Sequence, residues 1–116
     1  MTRSDRERLA DILAAIDRIK DAEAMLAAAE DAVDEATARV AFDAVLYNLV
    51  VIGEAVNALP PAVVAADRDV PWRDIVDMRN FLAHEYFRVR SEMVRRTVDS
   101  PLAQLRMAIE RLARET

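Results

Sequence analysis

A single histidine occurs in this chain of 116 residues, and it lies among side chains suited to phosphate chemistry. The stretch Met78-Arg79-Asn80-Phe81-Leu82-Ala83-His84-Glu85-Tyr86-Phe87 sets an arginine five residues before His84, an asparagine four before and a tyrosine two after. An imidazole moves protons near neutral pH. A guanidinium holds a phosphate through two parallel hydrogen bonds. The pair suits phosphodiester cleavage without a metal. His84 would act as general base toward a ribose 2′-hydroxyl or as general acid toward the leaving oxygen, a contribution of about 10²–10⁴-fold. Arg79 would stabilise the charge that develops on the phosphoryl oxygens.

Spacing constrains how these groups could meet. On a helix Asn80 and His84 share a face, so Asn80 could hydrogen-bond the imidazole and fix its tautomer. Arg79 points about 140° away from His84, and its long side chain would have to bridge that angle. Tyr86 lies past the expected helix end, where a turn could bring its hydroxyl toward the imidazole. One histidine does not readily serve as acid and base in one step. A symmetric dimer, with two copies of the cluster across a shared groove, removes that shortage. The ordinary structural readings are a histidine near a helix end and an arginine paired with a carboxylate such as Glu54.

The elements that must position the cluster are helices. Leu9, Ile12, Leu13, Ile16 and Ile19 recur at three- and four-residue steps and predict a first helix over about 5–28, capped by Ser4 or Asp5. A turn is expected within 30–35. The second helix should run to Leu59, where Pro60-Pro61 stops it. Its later half is apolar nearly all round, which implies cover on more than one side, including from a second subunit. Gly53 fits a close approach of another backbone, because glycine within a helix otherwise costs about 0.5–1 kcal/mol relative to alanine. A short helical turn over 61–66 follows. Pro71 fits the first turn of a third helix, which carries the cluster at its C-terminal end. Ser91 can cap the next segment, and Pro101 starts a terminal helix with Leu102, Leu105, Ile109 and Leu112 as its stripe. The expectation is one all-α domain over 1–116, an antiparallel bundle of four to five helices.

Composition supports this and excludes alternatives. One glycine cannot supply the turns of a sheet protein. The absence of cysteine excludes disulfides, a thiol nucleophile and cysteine-ligated zinc, and a lone histidine argues against a histidine-rich metal site. No metal or other cofactor is expected. The start of the chain is polar, and the run from Ala44 to Leu59 is read as too short and too polar to span a bilayer, so a cytoplasmic protein is expected. The net charge of −5 does not suit a general nucleic-acid binder. Residues 1–70 carry −7, however, and residues 71–116 carry +2. Arg88 and Arg90, just after the histidine, are candidates for a local RNA-attracting patch.

Arg79-Asn80-x3-His84-x-Tyr86 resembles the Arg-x4-His-x-Tyr signature of the HEPN superfamily, specifically the HepT-like toxins of prokaryotic toxin–antitoxin pairs. Ile52-Gly53-Glu54-Ala55 resembles the family's Ile-Gly-Glu-Ala run on the second helix. Pro71-Trp72 followed by Ile75 and Met78 is similar to the lead-in to the signature. The likeness extends from about Leu9 to Leu112. It implies a HEPN-like helical bundle with metal-independent endoribonuclease activity, acting as a homodimer with the cleft between subunits. Arg79 and His84 carry over as the catalytic pair, with Asn80 in support. The resemblance also implies a partner, a minimal nucleotidyltransferase of the MntA type that transfers AMP from ATP onto Tyr86. The added charge and bulk beside His84 would block an RNA phosphate. Glu85 sets an anion near the phosphate site unless it points outward. Glu54, in an apolar stretch, is expected in a buried pair with Arg79 or another arginine; in the functional variant of that contact it orients the catalytic arginine. The alternative class is a non-catalytic helical partner that regulates a nucleotidyltransferase.

Overall fold

The computed structural model describes residues 1–115, and among these every regular element is helical. The order is α1 (Arg3–Asp31), α2 (Glu35–Asn57), α3 (Pro61–Ala66), α4 (Trp72–Glu85), a 3₁₀ turn (Tyr86–Arg88), α5 (Ser91–Val98) and α6 (Ser100–Glu115). The expected helical bundle forms. α1 and α2 make a long hairpin, α4 lies against α2, α6 lies against α1, and α5 joins the α4 and α6 sides.

Local chemistry sets the helix boundaries. The cap of α1 is Thr2, not Ser4 or Asp5. The Thr2 hydroxyl accepts from the Asp5 N–H at 3.1 Å, and the Asp5 carboxylate accepts from the Thr2 N–H at 3.0 Å. This reciprocal arrangement satisfies two donors at once. α1 continues three residues beyond Ala28 and then turns within the expected window. The turn uses Val33 at φ 54°, a left-handed conformation that a β-branched residue adopts at a cost of about 1–2 kcal/mol. Asp34 then caps α2, accepting from the Thr37 N–H and hydroxyl at 3.1 and 2.7 Å. α2 ends at Asn57, two residues before the expected Leu59, because a residue that precedes proline avoids helical backbone. Ser91 is the first residue of α5 and not its cap; Arg90 precedes it without a side-chain cap bond. Trp72 opens α4, where its indole N–H donates to the Asp67 carbonyl at 2.8 Å and ties down the incoming loop.

The predicted stripes meet in one core. Leu9, Ile12, Ile16 and Ile19 of α1 face Val45, Leu49, Ile52 and Val56 of α2, with Ile75 and Leu82 of α4 and Leu105 and Ile109 of α6 closing the interior. Each such large aliphatic side chain contributes about 1.5–3 kcal/mol on burial. The run 44–59, read as too short and too polar for a bilayer, lies mostly within this longer helix. The 23 residues of α2 are long and apolar enough to cross a membrane by length and composition alone. Here it is a core helix between α1 and α4, and its outward face carries Asp43 and Glu54.

Candidate active site

The cluster lies along the seam between α2 and α4, and a glycine sets the spacing there. A Cβ added to Gly53 would fall 2.2 Å from the Arg79 Cβ and 2.8 Å from its Cγ. No side chain fits that gap. The expected close approach is therefore real, and what approaches is the stem of Arg79 in the same chain. The missing methyl lets Arg79 lie across α2 and deliver its guanidinium to the next residue, Glu54.

At that end Arg79 is held from two sides. Its Nη2 donates to Glu54 Oε1 at 3.1 Å, and its Nη1 donates to Asn80 Oδ1 at 2.8 Å. The Nε donor is buried and unpaired. The predicted Glu54–Arg79 pair exists, but it is not buried. The Glu54 side chain is 60% exposed and that of Arg79 29%. Glu54 belongs to an apolar stretch of sequence, yet it occupies the outward face of α2. Its carboxylate stays in water, which removes the desolvation cost that would demand full burial.

His84 lies in the last turn of α4, exposed, and no side-chain hydrogen bond joins it to another of the described residues. Two expectations change here. Asn80 shares a face with His84, but its carbonyl oxygen serves Arg79 and does not fix the imidazole tautomer. Tyr86 begins the 3₁₀ turn and does not reach the imidazole. Its hydroxyl donates to Asp43 Oδ1 on α2 at 3.1 Å. Partial burial of the ring, together with the hydrogen bond and charge of Asp43, holds the Tyr86 phenol above its ordinary pKa. Asp43 is the residue that sequence reasoning missed. The available signal was periodic: Asp43 and Glu54 are eleven residues apart, about three helical turns, and so share the outward face of α2.

Along the chain, the residues of two carboxylate ties flank His84: Arg79, tied to Glu54, precedes it and Tyr86, tied to Asp43, follows it. The same outward face of α2 carries two apolar side chains, Val40 and Tyr47, which are 62% and 68% exposed. Beyond the turn, Arg88 and Arg90 line an open groove of about 810 Å³ together with Phe81, Glu85, Phe87 and Arg96. Glu85 pairs with Arg88 at 3.5 Å, so its charge is met locally. Arg79 and His84 do not line this groove. Among the described residues no three acidic or histidine side chains converge as a metal-binding group.

The sequence matches the family described as "Ribonuclease HepT-like" over residues 12–112, a span that contains Asp43, Gly53, Glu54 and the whole Arg79–Tyr86 signature. This chain belongs to the HepT-like ribonuclease family. The "Probable ribonuclease HepT" of Thermococcus cleftensis is 30% identical over 97% of this chain and 98% of its own length. A candidate RNase of Caldanaerobacter subterraneus subsp. tengcongensis is 33% identical over 60% of this chain and 62% of that protein. A candidate RNase of Methanocaldococcus jannaschii is 39% identical over 44% of this chain and 42% of that protein. The chain therefore covers nearly all of the first HepT-like relative and less than two thirds of the other two. No solved structure matches it.

Proposed function

We propose that this HepT-like chain is a metal-independent endoribonuclease and the toxin of a toxin–antitoxin pair, silenced by AMP transfer onto Tyr86. The observation that carries the reading is the disposition of the two chemical groups. Gly53 clears the path for Arg79, Glu54 and Asn80 hold its fork, and His84 stands exposed and unengaged in the last turn of α4. A guanidinium held by Glu54 and Asn80 and an exposed imidazole five residues further along α4 suit the two tasks of RNA cleavage. The guanidinium steadies phosphoryl charge from a fixed position. The imidazole must exchange protons with substrate and needs access.

In this reading the 2′-oxygen attacks the adjacent phosphorus as an imidazole takes its proton, and the bond from phosphorus to the 5′-oxygen breaks as that oxygen gains a proton. One chain offers one imidazole for these two transfers. A homodimer supplies the second, and the exposed Val40 and Tyr47 beside the seam suit burial against another copy. Arg88 and Arg90 would hold RNA phosphates outside the reacting centre. Esterification of Tyr86 would set a phosphodiester anion two residues from His84, where a substrate phosphate must approach.

The test uses the purified chain with a cognate MntA-like nucleotidyltransferase and ATP. The expected result is a mass gain of one or more AMP units on Tyr86, with loss of RNA cleavage, and neither change in Tyr86→Phe. Cleavage that persists in fully modified protein would contradict the silencing. A purified chain that cleaves no RNA but still binds the transferase would point to the non-catalytic partner instead.

A further inference from the structure

The Tyr86 hydroxyl is tied to a residue 43 positions away whose chemistry nothing above assigns. We propose that Asp43 is the general base for modification of Tyr86, its carboxylate taking the phenolic proton as Tyr86 Oη attacks the α-phosphorus of a nucleoside triphosphate. This rests on the reading of Tyr86 as the AMP acceptor.

Three observations carry the assignment. The phenol donates to Asp43 Oδ1 at 3.1 Å, so donor and acceptor already stand at transfer distance. Asp43 forms no ion pair among the described residues, so its carboxylate is not engaged by a cation. Tyr86 is 48% exposed, which leaves it open to an incoming triphosphate while the hydroxyl is held. A phenol is protonated at neutral pH, and this one more firmly than usual, so attack needs a proton acceptor. A carboxylate is a weaker base than a free phenolate. The phenolic oxygen turns strongly acidic as its bond to phosphorus forms, however, and the transfer then runs downhill.

The step balances. The Oη–Pα bond forms, the bond from Pα to the bridging oxygen breaks, pyrophosphate leaves, and the proton moves from Oη to Asp43 Oδ1. Asp43 is itself exposed, so that proton passes on to water once the ester has formed.

Asp43→Asn and Asp43→Glu separate proton transfer from positioning. The asparagine carbonyl still accepts the Tyr86 hydrogen bond but cannot take the proton. AMP transfer is followed by intact mass, with the purified chain, its nucleotidyltransferase, ATP and Mg²⁺, using variants matched to wild type in circular dichroism and melting temperature. In Asp43→Asn, kcat should fall about 10²-fold or more while KM for this chain stays within about threefold. Asp43→Glu, which restores a carboxylate, should recover at least about a tenth of the wild-type kcat. Asp43→Asn turning over at the wild-type rate, or losing only in KM, would overturn the base assignment. A glutamate variant as slow as the asparagine variant would overturn it too. Wild type that gains no AMP at all is a different outcome: it removes the reading of Tyr86 as acceptor, and this inference with it.

Discussion

The two ends of the α2–α4 seam are each fastened by a carboxylate of α2 and a donor from the α4 side, yet they are built on opposite plans. At the Gly53 end, shape does the work. The Arg79 stem fills the space where a Cβ would stand, and the guanidinium meets Glu54 and Asn80. At the other end a single hydrogen bond joins Asp43 to Tyr86, on a 3₁₀ turn whose next residue, Phe87, is 87% exposed. Close packing transmits any change of volume. An exposed turn lets solvent, substrate or a modifying enzyme reach its side chains. The molecule fixes Arg79 and leaves His84 and Tyr86 open, as the proposed division between charge stabilisation, proton exchange and modification requires.

That contrast can be broken by substitution, beginning with the largest effect. His84→Ala should lower the rate of RNA cleavage by about 10²–10⁴-fold. Its melting temperature should stay near wild type, because the side chain is exposed and unbonded. A variant that melts much earlier would mean that the imidazole supports the fold. Arg79→Lys keeps the charge but loses the fork that spans Glu54 and Asn80. Cleavage should fall by about 10–10²-fold, as measured under single-turnover conditions. Near-normal rates would show that a point charge suffices.

Gly53→Ala should damage stability and activity together, unlike His84→Ala. The new methyl meets Arg79 Cβ at 2.2 Å, so α4 must shift, with a loss of about 1–3 kcal/mol in urea unfolding. Retention of full stability would contradict the close approach. The smallest effect lies far from the seam. Val33→Gly relieves the left-handed strain in the α1–α2 turn and should raise stability by about 0.5–1 kcal/mol without changing cleavage, since glycine's greater unfolded-state entropy offsets part of the gain.

Much of this architecture was legible in the residues. The stripes of α1 and α6 appear at helical spacing because one face of each meets the core. Gly53 stood out because an interior helical glycine needs a compensating contact. The Glu54–Arg79 pair is expected from the cost of burying a carboxylate, and it forms although Glu54 stays exposed. Other features carried no local signal. Val33 turns the chain where composition offers no glycine or proline, so the α1 boundary could only be bracketed. Spacing puts Asn80 on the face of His84, and only the reach of the long Arg79 side chain brings a guanidinium N–H to the Asn80 carbonyl instead. Glu54 looked buried because sequence neighbours are apolar, although a helix turns successive residues to different environments. The Asp43–Tyr86 bond joins residues 43 positions apart and depends on the tertiary approach of α2 and the 3₁₀ turn.

The central claim is that an imidazole and a guanidinium on this bundle cut RNA unaided. The most direct measurement is cleavage of single-stranded RNA by the purified chain in excess EDTA, with His84→Ala prepared alongside to exclude a contaminating nuclease. Wild type is expected to cut at the same rate with and without the chelator, and the variant not to cut. Absence of cleavage by wild type, or cleavage that returns only when a divalent metal is restored, would contradict it.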